Sequence, residues 1–275
     1  MKPILLITIG PTGSGKSGLI DQSIKQLNRP GEWHQFLIDD YVENDPIYKK
    51  QVLGILTDEL RSQLDALIEP TPELYSKFND AYFSVRKNIG CGRAGQGGCD
   101  AQFDKDIEEA IQAGQNIVFE MTGTYYPKWL VEKTQGRYEI VLAYTLVNIC
   151  ELVQRNTNRA VISSKRFISN PLQVPAPRLP NVSASGPYRD NVEKVKQVFF
   201  QIIDNNCLAV QQQSQLNSEF CSPYPISKIL LFDNNVSPMK LVATVDTEHQ
   251  MDREKLEKIL SNSMDTADIC RRVID

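Results

Sequence analysis

The sequence predicts an α/β sandwich in which helices cover a mostly parallel sheet, and three observations carry that prediction. The run Ile4-Leu5-Leu6-Ile7-Thr8-Ile9 is continuous rather than alternating, the pattern of a strand buried on both faces. A glycine-containing turn follows it directly and opens a helical stretch. Further along, short apolar runs alternate with amphipathic segments, as a doubly wound sheet requires, because parallel strands need right-handed crossover connections.

Taken in order, Ser17 to Leu27 has helical spacing. Gln35 to Ile38 reads as a second strand ending in Asp39-Asp40, and Ile47 to Ile68 as a helix running up to a Glu-Pro-Thr-Pro break. Leu74 to Asn88 is a further helix. Residues 90–98 hold five glycines in nine positions, which suits an irregular loop and no regular element. Phe103 to Ala113 is helical, Asn116 to Glu120 a strand, Pro127 to Lys133 a short helix and Tyr138 to Val147 another buried strand. A helix then runs from Ile149 to about Val161. Prolines at 171, 175, 177, 180 and 187 make 163–187 an extended lid or linker. Asp190 to Gln213 returns to helical spacing, Ser227 to Asp233 is a strand with Leu241 to Val245 as hairpin partner, and Arg253 to Val273 is a terminal helix. The expected organisation is one elaborated domain over 1–248, carrying the lid and the glycine-rich insertion, with a C-terminal helix in 249–275.

The composition narrows the function classes. A chain of 275 residues can bury a full core, and 41% hydrophobic with 23% charged residues is ordinary for a globular protein. A formal charge of -4 provides no broad basic field, which argues against nucleic acid and membrane surfaces as partners. No run approaches the roughly 18 apolar residues of a membrane span, and the first strand is too short for a signal-peptide core, so a cytoplasmic location is expected. The six cysteines lack the close pairing of a zinc site and read as reduced thiols. His34 and His249 stand apart and suggest no imidazole chemistry.

The sharpest motif is Gly10-Pro11-Thr12-Gly13-Ser14-Gly15-Lys16-Ser17, a full match to the Gly-x4-Gly-Lys-Ser/Thr phosphate loop. Glycines let successive amides turn inwards around phosphate oxygens, Lys16 reaches the β and γ phosphates, and the Ser17 hydroxyl is a magnesium ligand. The setting supports the motif, since it follows a buried strand and starts a helix whose positive end adds to the nest.

Beyond the loop, the order of motifs resembles the zeta toxin family of P-loop kinases, similar in fold to small-molecule kinases such as chloramphenicol phosphotransferase, over roughly Ile4 to Phe200. Ile38-Asp39-Asp40-Tyr41 followed by Asp45-Pro46-Ile47-Tyr48 looks like the family's acidic motif and the turn after it. The family's catalytic aspartate maps to Asp39, or to Asp40 with a one-residue gap. Val118-Phe119-Glu120-Met121-Thr122-Gly123 is similar to its Glu-x-Thr-Gly strand end, which implies that Glu120 and Thr122 face substrate and metal. Its substrate-contacting acid on the preceding helix falls at Asp104. Where the family tends to have an arginine two residues after the threonine, this chain has Thr124. Arg155, Arg159 and Pro177-Arg178-Leu179-Pro180 look like the helix and lid arginines, with Arg166 competing with Arg178.

The resemblance implies a P-loop NTPase three-layer sandwich with a lid and a C-terminal helical and hairpin extension, using ATP and Mg2+. It also implies a small-molecule hydroxyl acceptor of the UDP-N-acetylglucosamine kind, and an antitoxin or regulatory protein as partner for a member that is a toxin. The chemistry agrees. Phosphoryl transfer needs charge neutralisation and an aimed nucleophile. Lys16, Arg155, Arg159 and Arg178 supply permanent positive charge, and Asp39 or Asp40 can take a proton from the acceptor. Arg155 and Arg159, four apart, share one helix face. A nucleoside or polynucleotide 5'-hydroxyl kinase would use the same parts. A nucleotide-binding interaction protein with negligible transfer is the alternative outside enzymes, and no Asn-Lys-x-Asp guanine signature is present.

Overall fold

The structure, a computed structural model, describes residues 2–56, 72–88, 99–179, 186–209, 222, 224–246 and 258. The glycine-rich 90–98 insertion, the C-terminal helix expected after Arg253, and the second half of the helix expected over Ile47 to Ile68 lie outside those residues, Lys258 apart. The chain divides into two compact units: residues 1–36, 108–152 and 183–275 form one, and 37–107 with 153–182 the other.

The first unit is built on a six-stranded sheet of order β2-β3-β1-β4-β5-β6. Its strands are β1 (Ile4–Ile9), β2 (Trp33–Phe36), β3 (Asn116–Met121), β4 (Glu139–Leu146), β5 (Ile226–Asp233) and β6 (Lys240–Asp246). All neighbours pair in parallel except β5 and β6, which form the expected antiparallel hairpin. All six residues of β1 are buried, as its unbroken apolar run requires of a central strand. Helix α1 (Lys16–Leu27) leads from β1 to β2 on one side of the sheet order, whereas the chain leaving β3 crosses β1 to reach β4 on the other. The two exits diverge, so the crevice of this sheet opens at the carboxyl ends of β1 and β3, where open α/β sheets bind ligands.

The second unit is helical. It contains α2 (Ile38–Asn44), α3 (Pro46–Ile55), α4 (Pro72–Asn88), most of α5 (Cys99–Gln112) and most of α7 (Ile149–Ser169). Its apolar cluster gathers Tyr48, Val52, Phe78, Val161, Phe167 and Leu179 with their neighbours. The remaining helices, α6 (Lys128–Lys133) and α8 (Pro187–Ala209), belong to the first unit.

Three expectations are corrected. The strand expected over Gln35 to Ile38 ends at Phe36, and α2 starts at Ile38, so Asp39 and Asp40 sit in the first turn of a helix rather than at a strand end. Carboxylates there are favoured by the positive helix terminus. The lid expected from Ser163 begins later, because α7 continues to Ser169. Ala160, Ser164 and Phe167 are all buried and extend the helical stripe past Val161. Cys150 is disulfide-bonded, against the reading of all six cysteines as reduced thiols. Disulfide pairing depends on proximity in the fold, which sequence spacing does not reveal. Among the described residues no helix is long and apolar enough to cross a membrane.

Candidate functional site

In the first unit the phosphate loop leaves β1 and turns into α1. Gly13 and Gly15 take φ of 85° and 82°, a region that suits glycine and few other residues. A side chain at Gly15 would also run into Asn234, whose Nδ2 lies 2.3 Å from the position of an added Cβ. Asn234 Nδ2 donates to the Ser14 carbonyl at 2.9 Å, and Thr145 Oγ1 to the same oxygen at 3.3 Å. Tyr188 Oη, from the start of α8, donates to the Thr12 carbonyl at 2.6 Å. The loop is thus braced from β4, from the end of β5 and from α8, leaving its shape overdetermined.

The opening of α1 has the features of an anion site. Its N-cap, Gly15, has no side-chain bond to the first turn. The first intrahelical bond, Leu19 N to Gly15 O at 3.0 Å, closes beyond Lys16 and Ser17. Lys16 Nζ curls over the loop, donating to Gly10 O at 3.2 Å and Pro11 O at 3.3 Å, and stands 3.5 Å from Glu120 Oε1. Ser14 Oγ is buried without a hydrogen-bond partner, and Ser17 is exposed on the first helical turn. These residues fit a polyphosphate. Among the described residues no group of three or more His, Cys, Asp or Glu gathers as a metal cage. A magnesium ion here would be held by Ser17 together with phosphate oxygens, as that ion commonly is.

Sheet register explains the neighbour of Lys16. Thr8 pairs with Glu120 and Ile9 with Met121, so the loop after β1 and the end of β3 emerge side by side. Thr122 is exposed just past that end. Gly123 has φ 94°, and an added Cβ there would come 2.5 Å from Ile9 and 2.8 Å from Val195. Only glycine lets the chain turn away at this point, the physical reason behind the Thr-Gly step.

The second unit holds a separate charged cluster. Asp39 accepts from Tyr82 Oη at 2.5 Å through Oδ1 and pairs with Arg178 Nη2 at 2.5 Å through Oδ2. Arg178 also donates from Nε to Glu43 Oε1 at 3.0 Å and lies 5.4 Å from the centre of the Tyr82 ring. Burial works against the Arg178 charge, yet Asp39, Tyr82 and Glu43 outweigh it and raise its pKa. Burial raises the pKa of Glu43 although two arginines oppose the shift. Burial, and then the charge of Asp39, raise that of Asp40. Arg159, 57% exposed, reaches Glu43 at 3.8 Å.

The proline segment around Arg178 is stapled down. Ala176 N donates to Glu43 O at 2.7 Å, Tyr48 Oη donates to Pro177 O at 3.0 Å, and Ala176 and Leu179 are buried in the helical cluster. Asp45-Pro46 forms the start of α3: Asp45 Oδ1 accepts from Ile47 N and Tyr48 N, with Pro46 at the first helical position.

Of the residues singled out in sequence, Lys16, Glu120 and Ser17 stand around the loop, and Asp39, Arg159 and Arg178 share the second cluster. Arg166 is exposed on α7 and Arg155 is half-buried there. Asp104 is on α5, but Asp106, one turn-half further, is the residue that accepts from Tyr41 Oη, at 2.7 Å. Glu43, Tyr82, Asn234 and Tyr188 escaped the sequence reading. Glu43 follows Asp39 by four, a helical spacing that becomes visible once α2 is known. The other three come from distant segments and carry no local signal.

No family profile and no curated protein matches the sequence. Among solved structures, one from the molecular and structural characterization of the PezAT chromosomal toxin–antitoxin system of Streptococcus pneumoniae is similar in fold. It is 12% identical over 99% of this chain and 84% of that chain, with a TM-score of 0.50. A gluconokinase from Sinorhizobium meliloti 1021 is matched at 13% identity over 72% of this chain and 97% of that one, with a TM-score of 0.26. An uncharacterized protein from Eubacterium ventriosum ATCC 27560 is matched at 10% identity over 95% and 99%, with a TM-score of 0.27. The first likeness is one of fold, and it agrees with the mostly parallel α/β sheet and the phosphate-loop motif that follows β1.

Proposed function

We propose that this protein is an ATP-dependent kinase, similar to the zeta toxin kinases, that moves a γ-phosphoryl group to the hydroxyl of a small molecule. The observation that carries the reading is Lys16 folded over a braced glycine loop at an uncapped helix start. That arrangement gathers amide donors and a cation where phosphate charge must be offset.

In the reaction, the acceptor oxygen forms a bond to the γ-phosphorus, the bond to the β–γ bridging oxygen breaks, and ADP leaves with that oxygen. Lys16 and the loop amides offset the charge on the phosphoryl oxygens. Arg155 and Arg159 are further cations in this reading. Magnesium, held by Ser17, would supply additional charge neutralisation at the phosphates. The acceptor proton passes to Asp40 or Asp39. The geometry favours Asp40, because both oxygens of Asp39 are engaged by Tyr82 and Arg178. Arg178 then acts as a positioning residue for the acid pair. Glu120, Thr122 and Asp104 are the candidates for acceptor contacts.

The acceptor class proposed is a nucleotide sugar, with UDP-N-acetylglucosamine first to be tried, and a neutralising protein is the partner that a toxin of this kind would need. A second reading, a nucleotide-binding protein with negligible transfer, draws on the mutual engagement of Asp39 and Arg178. Incubation with γ-labelled ATP and a panel of nucleotide-sugar, nucleoside and dinucleotide acceptors separates the two. A phosphate gain by mass spectrometry that disappears in Lys16→Ala supports the kinase, and no gain with any acceptor despite tight ATP binding supports the second reading.

A further inference from the structure

The direction of an amide in the loop is set by whatever holds the carbonyl of the same peptide, because in a trans peptide the two groups point opposite ways. Two carbonyls of the loop are held by side chains from far along the chain. Thr12 O accepts from Tyr188 Oη at 2.6 Å, and Ser14 O accepts from Asn234 Nδ2 at 2.9 Å and from Thr145 Oγ1 at 3.3 Å. The amides opposite them belong to Gly13 and Gly15, which have φ of 85° and 82°. Left-handed glycines alternating with residues of ordinary φ form a concave run of amides that takes an anion. Ser14 N, between them, is already engaged with Pro11 O at 3.1 Å.

Helix α8 fixes Tyr188. Tyr188, Val192, Val195, Phe199 and Ile202 recur at spacings of four and three and are all buried, the stripe of a helix packed along one face. Phe199 stacks on Tyr144 of β4 with ring centres 4.4 Å apart, and Val195 sits against Gly123 just past β3. Tyr188 heads this stripe at 8% exposed and is the one member whose side chain is polar. A phenylalanine would fill the same stripe, so packing does not call for the hydroxyl.

We propose that Tyr188 is a positioning residue of the phosphate site: by holding Thr12 O, its hydroxyl keeps Gly13 N–H turned into the loop before any phosphate arrives. The proposal rests on the phosphate-loop reading above and adds a division of labour to it. Tyr188 sets the Gly13 amide, and Asn234 with Thr145 sets that of Gly15. Lys16 differs from both. It holds Gly10 O and Pro11 O with the same ammonium that must face phosphate, so its two tasks compete. The Tyr188 and Asn234 bonds are made on the side of each peptide away from its amide and persist when a ligand binds. An amide aimed in advance has less freedom to lose on binding.

The test uses the full chain with its glycine amides isotopically labelled for NMR, and follows Gly13 and Gly15 as magnesium tripolyphosphate is added. Calorimetry gives the affinity and urea denaturation the stability. In the parent both amide protons are expected to move downfield, the sign of a new bond to an anion. In Tyr188→Phe the Gly13 shift should shrink while that of Gly15 persists, and affinity should fall about fivefold, the scale of one lost hydrogen bond. Asn234→Ala should reverse the pattern, shrinking the Gly15 shift and sparing Gly13. A full Gly13 shift at unchanged affinity in Tyr188→Phe overturns the proposal and leaves the phosphate loop standing. Equal shrinkage at both glycines overturns it too, because the hydroxyl would then shape the loop as a whole. A Gly13 amide that stays still in the parent although tripolyphosphate binds overturns it without any variant, which keeps the test decisive should Tyr188→Phe fail to fold. If the parent binds no tripolyphosphate, the phosphate reading itself fails and the positioning role falls with it.

Discussion

Arg178 Nη2 stands 2.5 Å from Asp39 Oδ2, joining a proline-rich segment after α7 to the first turn of α2. The same guanidinium binds Glu43 one helical turn further along. One planar cation thus serves two carboxylates on one helix face, a geometry that suits the fork of arginine and not the point charge of lysine. Removing it leaves Asp39 with the Tyr82 hydroxyl and Glu43 with the longer contact to Arg159. Arg178→Ala is expected to cost about 2–4 kcal/mol of stability, somewhat below a fully buried pair because Asp39 stays 26% exposed. Arg178→Lys should recover less than half of that loss. Urea denaturation of the three proteins measures it.

The acid pair has a pH signature. Burial and the neighbouring Asp39 charge raise the pKa of Asp40 above its ordinary 3.8. A base works ionised, so phosphoryl transfer should fall with acidification through a midpoint above that value. The stability sign is opposite: a carboxyl with a raised folded-state pKa adds stability below its unfolded pKa and loses it as pH rises through the folded one. Asp40→Asn should remove the acid limb of kcat/KM along with most of the activity. Asp39→Asn, which keeps a hydrogen-bond acceptor for Tyr82, should keep an acid limb at a shifted position. A limb unchanged in Asp40→Asn would return the base role to Asp39.

What could be read in advance follows from how local each signal is. β1, the loop and α1 were legible because one contiguous stretch carries the apolar run, the glycines and the helical spacing. The β5–β6 hairpin was legible for the same reason. Asp39 and Asp40 were found through motif order, but their place in a helix was missed, since Gln35 to Ile38 has no feature that separates the end of a four-residue strand from the start of a helix. The Arg178–Asp39–Tyr82 cluster was half visible: each charged member could be suspected, but their pairing is made by tertiary packing. Asn234 could not be found at all, because an amide bracing a carbonyl from the far end of the chain leaves no trace in spacing. The disulfide at Cys150 falls in the same class.

Lys16 lies on the loop with its charge shared between two carbonyls and Glu120. Lys16→Ala removes a cation from the phosphate site but, from the fold, only a single long ion pair, 3.5 Å, without the bidentate geometry of Arg178. Stability should change by less than about 1 kcal/mol. Transfer, measured with labelled γ-phosphate, should drop by about 100-fold or more, as expected when a charge-stabilising donor is lost. A comparable loss of stability and activity would mean that Lys16 holds the loop together instead of serving the ligand.

The contact between Gly15 and Asn234 permits a sharper test, because two separate costs meet at one glycine. At φ 82° any side chain is strained by about 1 kcal/mol, and an alanine methyl would also press to within 2.3 Å of Asn234 Nδ2. Asn234 cannot simply swing away, since it holds the Ser14 carbonyl at 2.9 Å. Gly15→Ala should therefore lower both stability and nucleotide affinity. In the background of Asn234→Ala the steric part disappears and the backbone part remains. The cost of Gly15→Ala should then shrink to about 1 kcal/mol, a coupling that a double-mutant cycle in denaturant measures directly. If Gly15→Ala costs the same with and without Asn234, the amide does not press on the loop. Asn234 would then be only a hydrogen-bond donor to Ser14, and the loop would owe its shape to its glycines, Thr145 and Tyr188.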